Sequence, residues 1–184
     1  PFRDAGADLI LRSSDGVEFH VYRAVLWLLS PVFRDMFTLP QPDSEPKVPD
    51  VRMPESGVVL HRVLRFCYPG AEPIVQTLGQ LAEILEILVQ RYDMKSMVPL
   101  GQVYLSRYIE SDPLGSFAVA ARHNWEGLVS SAAKKCLELP LRAPNYKAPE
   151  ELKYISGTTY HCLIRYHHLA AEAVGRAAEH FKWI

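Results

Sequence analysis

An α+β fold is predicted, with a small β-sheet flanked by a cluster of short α-helices and followed by an all-α extension. Three observations carry that prediction. Apolar residues alternate with period two only near the start of the chain, on either side of Asp15-Gly16. From Ala24 onward they recur at helical spacing. Prolines then cut the helical stretches into short pieces.

Taken in order, Leu9 and Leu11 alternate with Ile10 and Arg12, and Val17, Phe19 and Val21 alternate with Glu18, His20 and Tyr22. Asp15-Gly16 between them supplies the positive φ of a tight turn, so the stretch is a β-hairpin. Ala24, Val25, Leu28 and Leu29, with Trp27 beside them, predict a helix that stops at Ser30-Pro31. Pro31 suits the first turn of a second helix, Ser30 caps it, and Phe33, Met36 and Phe37 share its inner face. Leu39 to Pro49 carries four prolines with Asp43, Ser44 and Glu45 and is expected to be a surface loop. Val51, Arg52 and Met53 form a short strand. Pro54 opens a helix with Val59, Val63, Phe66 and Cys67 on one face, ended by Tyr68-Pro69-Gly70.

The clearest periodicity follows, with Leu78, Leu81, Ala82, Leu85, Leu88, Val89 and Tyr92 on one stripe. Ile84 and Ile87 lie off it, so this helix is buried on more than one side. A further helix, from about Ser96 to Ile109, carries Val98, Val103, Leu105 and Tyr108. After Asp112-Pro113, Phe117, Ala121, Trp125, Leu128, Ala132 and Cys136 keep helical spacing, with a break at Asn124 and Gly127. Pro140, Pro144 and Pro149 mark a loop. A last helix from about Thr159 places Leu163, Ile164, His167, Ala171, Val174 and Ala178 on one side. The expected division is 5–110 for the first domain and 111–184 for the helical extension.

Twenty basic against twenty-one acidic side chains leave a formal net charge of −1. That balance argues against a nucleic-acid groove, which needs a basic excess to displace counterions, and against a polybasic membrane surface. No apolar run approaches the roughly 18 residues of a membrane span, and no signal peptide is expected. Cys67, Cys136 and Cys162 are odd in number and widely spaced, which fits a reducing intracellular compartment, cytoplasmic or nuclear.

The first hundred residues resemble the BTB/POZ family. The resemblance rests on Ala7-Asp8-Leu9-Ile10-Leu11, Asp15-Gly16-Val17-Glu18-Phe19, Arg23-Ala24-Val25-Leu26 and Ser30-Pro31-Val32-Phe33-Arg34-Asp35-Met36-Phe37. It continues through Val63-Leu64-Arg65-Phe66-Cys67-Tyr68-Pro69-Gly70 and Arg91-Tyr92-Asp93-Met94. Asp112-Pro113-Leu114 and Ile155-Ser156-Gly157 look like the helical extension of fungal BTB proteins. Tyr22 departs from the histidine that the family usually has ahead of Arg23; tyrosine also packs and hydrogen-bonds, with a different reach.

The resemblance implies association with protein partners: a homodimer through the BTB surface, or a cullin scaffold in a ubiquitin ligase. It places Asp8 in a charged pocket, where an acidic side chain faces a basic one and lines a dimer groove, and Arg23 is a further interface candidate. The other reading, a helix- or strand-start carboxylate with local hydrogen bonds, stands beside it. Arg52, Met53 and Glu55 fall on the surface that the family presents to cullin, or are solvated strand and cap residues. Ile74-Val75-Gln76 matches the spacing of a hydrophobic-x-Glu motif of cullin-binding members. Gln76 replaces the carboxylate that would accept charge-assisted hydrogen bonds, which weakens that reading.

Enzymatic chemistry has no support in the sequence. There is no Gly-x-Ser-x-Gly elbow, phosphate-binding glycine loop or His-Glu-x-x-His helix. His161, Cys162, His167 and His168 form the most tempting metal cluster. Helical spacing puts His161 and His168 two turns apart, so they are read as half-buried or solvated helix residues, and no cofactor or metal is expected. His20 and His61 are expected at the surface, and Phe33, Phe37 and Phe66 in the core. The expected function is non-catalytic homo- or hetero-association, ahead of a ubiquitin-ligase adaptor and an unrecognised enzyme.

Overall fold

The computed structural model describes residues 2–39, 48–68, 70–141, 143 and 146–180. The chain divides into two compact units, Pro1–Gly101 and Gln102–Ile184.

The first unit is built on the expected hairpin. β1 (Leu9–Arg12) runs antiparallel to β2 (Glu18–Val21), with Leu9 opposite Val21 and Arg12 opposite Glu18. Leu9, Leu11, Phe19 and Val21 point inward, as the period-two pattern requires. Gly16, at φ 84°, makes the turn. Ser13 locks it, its hydroxyl donating to Asp15 (2.5 Å) and accepting from the Val17 amide (2.9 Å). Val17 is therefore part of the loop and exposed, not the first inward residue of β2.

β3 (Asp50–Arg52) pairs parallel with β1, giving the sheet order β2-β1-β3. Residues 40–47, which contain most of the expected proline-rich loop, lie outside the described residues, as does Pro69.

α1 (Arg23–Leu29) and α2 (Pro31–Thr38) meet at Ser30, whose hydroxyl accepts the Phe33 amide (3.1 Å) as expected. The helical spacing of Ala24, Val25, Leu28 and Leu29 does not by itself mark the inner face of α1. Leu26 is its buried residue, while Ala24 and Leu28 face solvent. The sequence Arg-Ala-Val-Leu-Trp-Leu-Leu is apolar nearly all round, so spacing alone could not select a face.

α3 spans Gly57–Cys67 and begins three residues later than Pro54. Ser56 is its cap, residues 53–56 lie outside the helix, and the Ser14 amide donates to the Glu55 carbonyl (2.9 Å). Gly57 is needed there: a Cβ would lie 2.8 Å from Val17 Cγ2. α4 (Leu78–Leu85) is capped by Thr77 and relaxes into a π-helical segment, Glu86–Arg91. Leu78, Leu81, Ala82, Ile84, Leu85, Ile87 and Leu88 are all buried, so burial on more than one side is observed.

A 3₁₀ turn (Lys95–Met97) leads into α5 (Val98–Ser106), where Leu105 is buried and Val103 is exposed. In the second unit α6 (Pro113–Arg122) and α7 (Glu126–Cys136) are separated at Asn124, which adopts φ 56°. Gly127 lies inside α7, so asparagine and not glycine makes the break. A 3₁₀ turn (Glu150–Tyr154) follows the loop around Pro140 and Pro149; Pro144 lies outside the described residues. α8 (Gly157–His180) starts two residues before Thr159. Leu114, Phe117, Ala132, Cys136, Leu141 and Leu163 form this unit's core. Past Ala170 the described side chains of α8 face solvent, including Ala171, Val174 and Ala178.

Candidate protein interfaces

Asp8, just before β1, is exposed and accepts the backbone N–H of Arg23 (2.7 Å), the first residue of α1. The Arg23 guanidinium turns the other way, donating to the Phe37 carbonyl (2.5 Å) and lying 4.6 Å from the Phe37 ring centroid. Phe37 is thereby half-buried, whereas Phe33 and Phe66 are fully in the core. Asp8 and Arg23 are brought together through the backbone, and no carboxylate–guanidinium contact joins them among the described residues. Tyr22 uses its longer reach as well: its hydroxyl donates to Asp4 (2.5 Å) and its amide to the Tyr68 hydroxyl (2.7 Å). Burial pushes the Tyr68 phenol up to about 12.

The surface placement of Met53 and Glu55 is corrected by the structure. Met53 is 4% exposed and Glu55 5%. Met53 is drawn in as its amide extends the sheet to the Arg12 carbonyl (2.8 Å). The Glu55 carboxylate accepts from the Arg91 guanidinium and from the Tyr92 hydroxyl (3.1 and 3.3 Å). That pairing is what allows a carboxylate inside. The Tyr92 phenol is raised strongly, by burial first and by the Glu55 charge second. Arg52, one residue earlier, does remain exposed.

Ile74 and Gln76 sit in the extended segment before α4. The Gln76 amide donates to Gln80 (3.1 Å), and both side chains are exposed. Ile74, 45% exposed, shares an open groove of about 470 Å³ with Val17, Phe19, Gly57, Val58 and His61. His61 is half-buried and not a plain surface residue, because its ring packs edge-on against Phe2 (5.8 Å). Its pKa is lowered, by burial first and then by the charge of Arg65.

A second apolar surface was missed by sequence reasoning. Leu28 is 71% exposed, and Trp27 and Val32 are exposed beside it. The Arg34 guanidinium lies over the Trp27 ring, 4.6 Å from its centroid, tying α2 to this patch. The available signal was the all-round apolar character of α1, which leaves one side without a core to face.

The histidines of α8 do not converge. His161 and Cys162 are exposed, His167 contacts the Leu139 carbonyl (3.2 Å), and His168 faces Glu172 (2.9 Å). No group of three metal-ligating side chains occurs among the described residues. No helix among them is long and apolar enough to cross a membrane.

A family model for the BTB/POZ domain matches residues 2–108. Among solved structures the chain is similar to the BTB domain of zebrafish PATZ1. Identity is 24% and the TM-score 0.43, over 58% of this chain and 82% of that one. No curated protein matches. More than half of the chain thus fits one family model, over the part that holds the hairpin, the Ser30 junction and the long central helix. It belongs to the BTB/POZ family, whose domains mediate protein–protein interaction and oligomerisation and are generally non-enzymatic.

Proposed function

We propose that the chain is a non-catalytic association module that pairs with a second copy or another protein through the α1–α2 face. The observation that carries this is the patch of Trp27, Leu28 and Val32, apolar side chains left in solvent beside the charged Arg34. An apolar centre with a charged rim is the make-up of a protein interface. The interaction module extends to about residue 110, and the helical remainder orients what is bound. The odd number and wide spacing of Cys67, Cys136 and Cys162 support an intracellular setting. Light scattering over a concentration series tests the pairing. A mass above the monomer's that Leu28→Glu abolishes is the expected result; identical behaviour of the two proteins removes this face from the reading.

A cullin scaffold is the second reading, supported by the exposed Ile74 beside Val58 and Val17 and by the exposed Arg52. Gln76 supplies no charge there, and the buried Met53 offers no contact. The same scattering series with a purified cullin N-terminal domain separates the readings. A stoichiometric complex lost in Ile74→Asp promotes the adaptor, and the absence of any complex eliminates it.

A further inference from the structure

The outer edge of β2 already holds a short segment, Phe2-Arg3-Asp4, and that segment describes a ligand. Among the described residues its pairing is a single parallel bridge, Arg3 to His20, in which the His20 amide donates to the Phe2 carbonyl (3.0 Å). The Phe2 ring fills a socket of three rings, edge-on to Tyr68 (5.2 Å) and His61 (5.8 Å) and tilted on Phe19 (6.2 Å). Two residues on, the Asp4 carboxylate accepts from the Tyr22 hydroxyl (2.5 Å) and the Gly6 amide (2.9 Å). Those hydrogen bonds hold its pKa below the usual carboxylate range.

This segment fits its groove incompletely. Phe2 sits at φ 64°, a left-handed backbone that a side chain bearing a Cβ resists. Arg3, Asp4 and Ala5 are exposed. An open cleft of about 350 Å³ continues past Phe2 and Asp4 to Arg65, Gly70 and Ala71. A strand edge with few of its backbone groups paired is a template for added strands.

We propose that the β2 edge and its ring socket dock an extended segment of a partner protein. That segment carries an aromatic residue and, two positions later, a carboxylate, and Phe2-Arg3-Asp4 is a tethered stand-in that occupies the groove until it is displaced. The ring enters the socket of Phe19, His61 and Tyr68, the carboxylate meets the Tyr22 hydroxyl, and the charge of Arg65 favours an acidic continuation into the cleft. A partner entering unstrained, with more backbone pairing than one bridge, has the advantage over the resident segment. This surface is separate from the α1–α2 patch, so the two proposals stand or fall independently.

The test is fluorescence anisotropy with a labelled peptide, Pro-Phe-Arg-Asp-Ala-Gly-Ala-Asp, titrated with the full chain. Removing the tethered competitor by Phe2→Ala is expected to tighten peptide binding by about tenfold or more. The same peptide with its phenylalanine replaced by alanine is expected not to bind. The double variant Asp4→Asn, Tyr22→Phe, which leaves the socket intact, keeps the test open if Phe2→Ala does not fold. There the carboxylate of the peptide no longer contributes, so a peptide with Asn in place of Asp at its fourth position should bind as well as the original. Equal affinity of wild type and Phe2→Ala, or indifference to the peptide's phenylalanine, overturns the proposal. So does a wild-type chain that exchanges its own segment with a second copy, seen as a dimer that Phe2→Ala dissolves.

Discussion

Ser30 and Ser116 are both fully buried, one in each compact unit, yet their hydroxyls have opposite surroundings. The Ser30 hydroxyl accepts the Phe33 amide (3.1 Å) and donates to the Tyr92 carbonyl (2.6 Å), 62 residues away. Ser116 lies in the stretch of α6 from Pro113 to Ala120 that is buried at every position, and its hydroxyl has no partner among the described residues. The first unit is keyed by polar contacts between distant segments. Glu55 meets Arg91 and Tyr92, and Asp15 accepts the Gly57 amide (2.8 Å). The hydrophobic cluster of the second unit is Leu114, Phe117, Ala132, Cys136, Leu141 and Leu163, and the buried polar residues described in that unit are Ser116 and Glu151. A buried hydrogen bond is costly to leave unmade, so polar keys discriminate among arrangements, whereas apolar contacts reward any close packing. The surfaces proposed above for partner binding lie in the keyed unit.

The contrast is most exposed to failure at Glu55. Replacing it by alanine strands the buried Tyr92 hydroxyl and unpairs Arg91, for an expected loss of about 3 kcal/mol in urea unfolding. A loss below about 1 kcal/mol would mean that the pairing keys nothing. Ser30→Ala should cost about 2 kcal/mol, one part for the lost helix cap and one for the orphaned Tyr92 carbonyl. Acidification sharpens the comparison next. The folded pKa of His61 lies below the ordinary 6.5, so the unfolded chain takes up the proton first. Its contribution is fully present above pH 6.5 and is lost as pH falls through the depressed folded value. Melting temperatures from pH 7.5 down to 5.5 should therefore fall less steeply in His61→Gln than in the wild type. The smallest effect belongs to Ser116→Ala, which removes an unsatisfied hydroxyl and should change stability by no more than about 0.5 kcal/mol, or raise it. A loss as large as that of Ser30→Ala would erase the distinction between the units.

Much of the architecture was legible because it follows local rules. Asp15-Gly16 forces a turn, Ser30-Pro31 caps and starts a helix, and the stripe from Leu78 is helical, first α and then π, as far as Arg91. The interface residues were less legible. Arg52, Ile74 and Gln76 are exposed as a partner surface requires, but Met53 and Glu55 are not. A glutamate after a proline is ordinarily a solvated cap residue, and only Arg91 and Tyr92, 36 and 37 residues on, turn it inward. Leu28 shows the opposite limit: its helical spacing names no inner face, and it lies in solvent while Leu26 is buried.

By itself the sequence determined the element types, their order and most of their ends, since periodicity, caps and breakers act within a few residues. Resemblance in its first hundred residues also pointed to the family. The tertiary structure decided which side of α1 is left in solvent, that β3 lies parallel against β1, that a carboxylate is buried at the start of α3, and that Phe2 covers the edge of β2. Each of these depends on partners many residues apart, whose meeting is set by packing and hydrogen-bond closure over the whole unit.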